Sequence, residues 1–325
     1  MKTTLFTGFL ALGFGMIAAS ASGGAPVGVI TDGSSDFWKG MQEAALAQAA
    51  ELGLDLDFQT PAPATVEQQQ MLANQMAAKG MKALAICPLK PAEQAAFLKE
   101  LSGKTVLLTL LVDAPDSGRR AFLGRDEKQV GRLLGEIMKQ SVPEGCKVMP
   151  FCKDPAEAET KQRLAGLNET AGELFFMEAP KSDQGDKMLS IAHIEDTLTK
   201  RPEIAALIGL EQYHAGLMMR SVVEKGRARM VRVIGTGVGA GLLKGLQEGI
   251  VHGLVVDDAQ GAAKVVVGAL KALAEGDAAY AIPEDGHIVT PSIMLNTEKT
   301  LSTQETMDAL KVQVPWISEA TVGKP

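Results

Sequence analysis

Short apolar runs alternate with longer amphipathic stretches along most of the chain. Residues 27–30, 54–58, 83–86, 106–111 and 121–123 have the composition of strands. Between them, 37–52, 65–78 and 91–100 carry apolar residues at helical spacing, with Trp38, Met41, Ala45 and Ala49 on one stripe of the first. Asp36 is placed to cap that helix, Gly80 to stop the second, and Pro91 to open the third. The cadence then repeats. Helices are predicted at 130–140, 157–170, 187–198, 215–225, 240–248 and 261–274, and strands at 147–151, 174–177, 204–207, 231–234 and 253–256. The strand runs are apolar throughout rather than alternating, as in parallel strands covered on both faces by helices. This predicts a doubly wound α/β architecture. The units are too many for one small sheet, so two similar lobes are expected, with the change of lobe near 119–126. A closed α/β barrel is the competing packing.

The first residues follow a different pattern. Lys2 is followed by an apolar run from 5 to 19 broken only by Thr7, and Ala19-Ser20-Ala21 has the small–x–small form of a signal-peptidase site. Residues 1–21 therefore read as a cleaved secretory signal, which leaves 304 of the 325 residues and moves the net charge from −7 to −8. As a membrane anchor the run is too short and lacks flanking stop-transfer charges. No cysteine lies near the cut to carry a lipid. The three cysteines, Cys87, Cys146 and Cys152, are an odd number. Cys146 and Cys152 bracket one predicted strand, about 20 Å of extended chain, too far for a disulfide. Buried thiols are expected.

Composition narrows the chemistry. The 46% hydrophobic content is too high for a disordered chain, and 32 basic residues against 39 acidic ones, with no basic block, argue against nucleic acid. His193, His214, His252 and His287 do not pair at metal-ligand spacing, and no nucleophile elbow, P-loop or zinc motif occurs. No metal, cofactor or covalent chemistry is therefore expected. One motif points elsewhere: the predicted strand at 231–234 runs into Gly235-Thr236-Gly237-Val238-Gly239-Ala240, which satisfies a dinucleotide fingerprint, with Asp257 suitably downstream. An exported nicotinamide-dependent enzyme is thus an alternative, opposed by the export signal and by the motif's late position.

The order of several segments resembles the periplasmic sugar-binding proteins of the ribose/galactose type, receptors of ABC importers. The resemblance spans roughly residues 26–295. It rests on Gly28-Val29-Ile30 through Phe37-Trp38-Lys39-Gly40, the loop Asp113-Ala114-Pro115-Asp116-Ser117-Gly118-Arg119-Arg120, and Leu123-Gly124-Arg125-Asp126 with Gly131-Arg132-Leu133. Arg163-Leu164-Ala165-Gly166, Ile208-Gly209-Leu210-Glu211-Gln212-Tyr213 and the strand ends at Gly235 and Val256 complete it. The resemblance implies two doubly wound parallel-sheet lobes joined by a three-stranded hinge with ligand in the cleft. One lobe would comprise 25–124 plus 259–289, the other 125–258 plus 290–325. It implies a periplasmic, monomeric receptor, not an enzyme, that closes on a small polar ligand, a sugar or polyol, and delivers it to ABC permease subunits. A receptor presenting ligand to a sensor kinase or chemoreceptor has the same sequence features. The implied ligand-binding residues are Phe37, Trp38, Asp113, Arg163, Gln212, Tyr213, Thr236 and Asp257. Trp38 and Tyr213 also fit core positions, Arg163 a helix surface, and Asp113 and Asp126 structural roles. The pattern departs from the family at Leu111, where a binding aspartate is expected, at Thr236-Gly237, at Asp257 and Ala259, and at His214. Beyond 295, a short helix over 302–310 pinned by Trp316 is expected.

Overall fold

The computed structural model describes residues 24–296, and the signal segment, the 302–310 helix and Trp316 lie outside them. Two open sheets form the frame, which excludes the closed barrel. The first contains β1 (Pro26–Ile30), β2 (Asp55–Gln59), β3 (Ala83–Ile86), β4 (Val106–Leu110), β5 (Ala121–Arg125) and, much later in the chain, β12 (His287–Thr290), in the order β12-β5-β4-β3-β1-β2. The second contains β6 (Lys147–Cys152), β7 (Phe176–Met177), β9 (Ile204–Gly209), β10 (Arg232–Thr236), β11 (Gly253–Asp257) and β13 (Ser292–Asn296), in the order β13-β11-β10-β9-β6-β7, with β8 (Lys181–Ser182) also paired to β6. All pairings are parallel except β11 with β13.

The central strands are buried along nearly their whole length, as their unbroken apolar runs require. Helices cover them: α1 (Asp36–Glu51), α2 (Val66–Ala78) and α3 (Pro91–Ser102) on the first sheet, and α4 (Glu127–Ser141), α5 (Ala158–Ala171), α6 (Lys187–Lys200), α7 (His214–Glu224) and α8 (Ala240–Gln247) on the second. The long α9 (Ala259–Glu275) follows a strand of the second sheet but packs along α1 and against β1 and β3 of the first. The chain therefore passes between lobes three times, at Arg125–Asp126, at Asp257–Asp258 and through Pro291 between β12 and β13.

Three details differ from the sequence reading. Ser35, not Asp36, caps α1: its Oγ accepts from the Trp38 N–H at 3.2 Å. The 174–177 run yields only a two-residue strand at the sheet's edge, where Phe176 is exposed. The strands β8, β12 and β13 are short and partly polar, so no apolar run announced them. The three thiols are free; Cys87 and Cys152 are buried and Cys146 is half-buried.

Candidate functional site

In a doubly wound sheet the loops leaving the carboxyl ends of the strands form the natural ligand crevice. Here both sheets send those loops into one cavity of about 760 Å³. The first lobe contributes 32–38 after β1, Cys87 after β3 and 111–113 after β4; the second contributes Gln212 after β9, 237–239 after β10 and Val256–Asp257 of β11. Arg125 and Glu127 enter from the first crossing, and Glu159 from the start of α5. A second hollow of about 740 Å³ lies at the opposite, amino-terminal ends of β3, β4 and β5 and is lined by the first lobe alone.

The aromatic wall is set by the Ser35 cap, which starts α1 so that Phe37 and Trp38 stand in its first turn. Their rings meet edge-on, with centroids 5.1 Å apart. Trp38 is only 6% exposed and donates its indole N–H to Asp32 Oδ1 at 2.6 Å, so it serves both the core and the cavity; Phe37 keeps a half-buried ring. Beneath this wall, fully buried Gln69 donates to the carbonyls of Thr31 and Cys87, both at 2.8 Å, and accepts from Gln94. The amide pair thereby ties the ends of β1 and β3 together. Asp113 lines the cavity, yet its oxygens are engaged by Arg119 at 2.5 and 2.7 Å and by Thr109 and the Ala114 N–H. It combines the turn role with a place at the cleft edge.

The opposite wall is charged. Arg163 has a 2% exposed side chain and does not line the cavity. It donates to Glu127 Oε2 at 2.6 Å, to the Leu210 carbonyl at 2.6 Å, to Glu211 Oε2 at 3.2 Å and to Glu159 Oε2 at 3.4 Å. Glu127, which does line the cavity, also accepts from Arg125 Nε at 3.0 Å, and Arg125 Nη1 reaches Asp257 Oδ1 at 3.4 Å. Burial works against the charges of Arg125 and Arg163, but their carboxylate partners outweigh it and raise both guanidinium pKa values. Burial likewise opposes ionisation of Glu127, and the bond from Arg163 with the charge of Arg125 holds it below the ordinary carboxylate value.

Tyr213 and Thr236 also stand outside the cavity lining. Tyr213 donates its hydroxyl to Asp183 Oδ1 at 2.7 Å, and His214 Nε2 lies 2.7 Å from Asp183 Oδ2. His214 Nδ1 accepts the Glu211 N–H at 3.0 Å, which leaves the proton on Nε2 and makes it the donor to Asp183. Thr236 is buried and donates to the Leu210 carbonyl at 3.3 Å, bracing the glycine turn. Gly237 has a φ of +84°, and a β-carbon there would come within 3.1 Å of Gln212. The glycine turn that satisfies the dinucleotide pattern is thus a wall of the interlobe cavity. Of the eight sequence-nominated residues, Phe37, Trp38, Asp113, Gln212 and Asp257 share that cavity. Asp32, Arg125, Glu127 and Glu159 join them without having been nominated. The Arg125-Asp126-Glu127 triplet at the end of a strand was the available signal for two of these.

Burial raises the thiol pKa of Cys87, with Asp32 adding to it, and pushes Cys146 up to about 11 and Cys152 up to about 12, so none is a ready nucleophile. Among the described residues no cluster suited to a metal ion occurs.

The fold has well-defined counterparts. An arabinose-binding protein from Geobacillus stearothermophilus superposes with a TM-score of 0.73 at 16% identity, covering 88% of this chain and 99% of that one. A sugar-binding protein of a sugar ABC transporter from Bacillus halodurans gives 0.70 at 18%, covering 84% and 98%. A glucose–galactose-binding protein from Geobacillus stearothermophilus gives 0.65 at 20%, covering 84% and 97%. Comparison with curated proteins gives no match. In sequence, residues 27–278 match the model of the periplasmic binding protein domain, a span that takes in both cavity walls and two of the three crossings. The chain therefore belongs to the periplasmic binding protein domain family.

Proposed function

We propose that this protein is a periplasmic receptor that closes its two lobes over a small polar solute, a sugar or a polyol, and delivers it to the permease of an ABC importer. As a member of a binding-protein family it holds its solute unchanged rather than acting as an enzyme. The observation that carries the reading is one cavity fed by the strand ends of both lobes and bordered by the first two crossings, at Arg125 and Asp257. Such a cleft is open to solute when the lobes part and dry when they meet. Phe37 offers a flat apolar face for C–H groups, while Gln212 and the carboxylates offer directed partners for hydroxyls. The similar folds named above are those of proteins described as binding glucose–galactose, arabinose and sugar, which supports a carbohydrate-like ligand. One copy of the chain supplies the whole cavity, in keeping with a monomer. The export signal read from residues 1–21 supports the periplasmic location.

The test is a thermal-shift screen over neutral sugars, polyols and their amines, followed by calorimetry and small-angle scattering on each hit. A true ligand raises the melting temperature and compacts the molecule. Phe37→Ala should weaken its binding about tenfold, close to the 1.4 kcal/mol at the upper end for a lost aromatic contact. Absence of any shift and any compaction across the panel overturns the proposal.

A further inference from the structure

Among the described residues six carboxylates line the cavity, those of Asp32, Asp36, Asp113, Glu127, Glu159 and Asp257, against one lining cation, Arg125. Their local partners decide how much of that charge remains. Arg119 engages Asp113 through two bonds, and Lys39 lies 3.4 Å from Asp36. On the hinge side and the second lobe, the guanidiniums of Arg125 and Arg163 face four carboxylates, those of Glu127, Glu159, Glu211 and Asp257. Lys153 lies near Glu159 and Glu211 but is ion-paired with a fifth carboxylate, Glu157, at 2.6 Å, so three cations against five carboxylates leave two negative charges there. Asp32, on the first lobe, accepts from the Trp38 indole and makes no ion pair among the described residues. The excess therefore sits on both walls, with the larger share beside the hinge. Lobe closure expels water from such a cleft and strengthens every charge interaction inside it. Closing over a neutral solute would concentrate these like charges without compensation; closing over a cation would neutralise them.

We infer that the solute is a hydroxylated amine, an amino sugar or amino polyol, whose ammonium group is held on the hinge side among the carboxylates around Asp257 and Glu127. This rests on the receptor reading above and specifies its ligand. The ring of Phe37 fits the same molecule, since it accepts both C–H groups and the field of a nearby cation. The cavity's surplus negative charge excludes acidic sugars by the same argument.

Matched pairs isolate the charge. D-Glucose with D-glucosamine, D-galactose with D-galactosamine, and D-sorbitol with D-glucamine differ chiefly by one amine, and D-glucuronate supplies the opposite sign. By calorimetry on the full mature chain, in at least one pair the amine should bind about tenfold or more tightly than its neutral partner. D-Glucuronate should not bind, and the preference should shrink on raising salt from about 0.01 M to about 1 M. Asp257→Asn and Asp32→Asn are near-isosteric and keep an acceptor for Arg125 and for the Trp38 indole; each should cut the amine-to-neutral ratio severalfold, with melting curves verifying that the variants fold. Neutral members that bind and compact the protein as well as the amines do overturn the inference and leave the receptor reading standing. Variants that lower both members of a pair equally also overturn it. If no member of any pair binds, the receptor reading fails and this inference falls with it.

Discussion

Gln69 and Asp183 do corresponding work in the two lobes: each is a buried polar group that fixes the loops behind one wall of the cleft. Gln69 is fully buried and satisfies the carbonyls of Thr31 and Cys87. Gln69→Leu should cost about 2 kcal/mol in chemical denaturation, because two carbonyls and the Gln94 amide lose their partner while the volume is kept. A loss under about 0.5 kcal/mol would mean that water replaces the amide. Asp183 anchors Tyr213 and His214; burial raises its carboxyl pKa, but the bonds from those two side chains prevail and hold it below its ordinary value. The pKa of its partner His214 is lowered as well, but by burial. Burial lowers the His214 pKa against the pull of Asp183, and burial with the charge of Arg232 pushes His252 down to about 4. Both rings accept a backbone N–H at Nδ1, from Glu211 and from Val233. An unfolded histidine titrates near 6.5, so below that pH the unfolded chain binds protons that the folded chain refuses. Stability is complete above about pH 6.5 and falls with pH through the window down to about 4. The melting temperature should therefore drop between about pH 7 and pH 5, and His252→Asn, whose amide oxygen can accept the Val233 N–H, should flatten part of the drop. A wild-type melting temperature that stays level over this range would contradict the argument. Leu111 shows where a sequence departure meets geometry: its φ of +60° lies in the left-handed region that aspartate and asparagine enter more readily than leucine. The residue expected from the family would have suited this backbone better than the one present.

Among the described residues α4 and α5 form the most extensive helix pairing, and glycines let them approach closely. A β-carbon on Gly131 would run into the Arg163 carbonyl, and one on Gly166 into the Lys128 carbonyl; Gly135 faces Thr170 in the same way. This contact bears on the cavity wall, because α4 begins with Glu127, which lines the cavity, and α5 supplies Arg163, its partner at 2.6 Å. Gly131→Ala or Gly166→Ala should destabilise the protein by about 1–3 kcal/mol through overpacking. Either should also weaken solute binding by displacing Glu127 from the cavity wall. If calorimetry shows unchanged affinity in a variant whose stability has fallen, the link from helix spacing to cavity wall is wrong. Elements of this kind were legible in the sequence to differing degrees. The buried parallel strands announced themselves as unbroken apolar runs, and the helices as stripes closed by glycine. The tight α4–α5 approach was not legible, since Gly131 and Gly166 carry meaning only once the facing carbonyls are known. Arg163 reads in the sequence as a ligand contact or a helix-surface residue, and nothing local shows that its guanidinium turns inward to four protein acceptors rather than into the cleft. Tyr213 is similar: a two-residue strand, β8, brings up Asp183 to take its hydroxyl, and nothing in the local pattern signals so short a strand.

At the scale of the molecule, the three crossings form one strip, of which Arg125 and Asp257 face the cavity. Arg125 pairs with Thr290 in the first sheet, Asp257 pairs with Ser292 in the second, and Pro291 joins the two partner strands. The strip is cross-braced by Arg125 to Asp257 at 3.4 Å and by the Asp258 N–H to the Pro291 carbonyl at 3.0 Å. Each of the first two crossings ends in an aspartate that caps the next helix, Asp126 for α4 and Asp258 for α9, so the helix starts are fixed. Rotation of one lobe against the other would then be absorbed at the two junctions where strand end and cap adjoin, Arg125–Asp126 and Asp257–Asp258, and at Pro291. Gly261 sits against this strip: a β-carbon there would collide with both Pro291 and the Asp258 carboxylate. Gly261→Ala should wedge the second and third crossings apart, costing about 1–3 kcal/mol and reducing the compaction that a bound solute produces in small-angle scattering. Gly268 provides the control on the same helix, since a β-carbon there meets open space. Gly268→Ala should raise stability by up to about 1 kcal/mol, as expected for alanine over glycine within a helix, and should leave compaction as it is. The probe is the solute that gives the largest thermal shift in the screen. If both variants compact fully on binding it, the lobes do not turn about this strip. If both fail to compact, the fault lies in α9 as a whole rather than in its contact with the hinge.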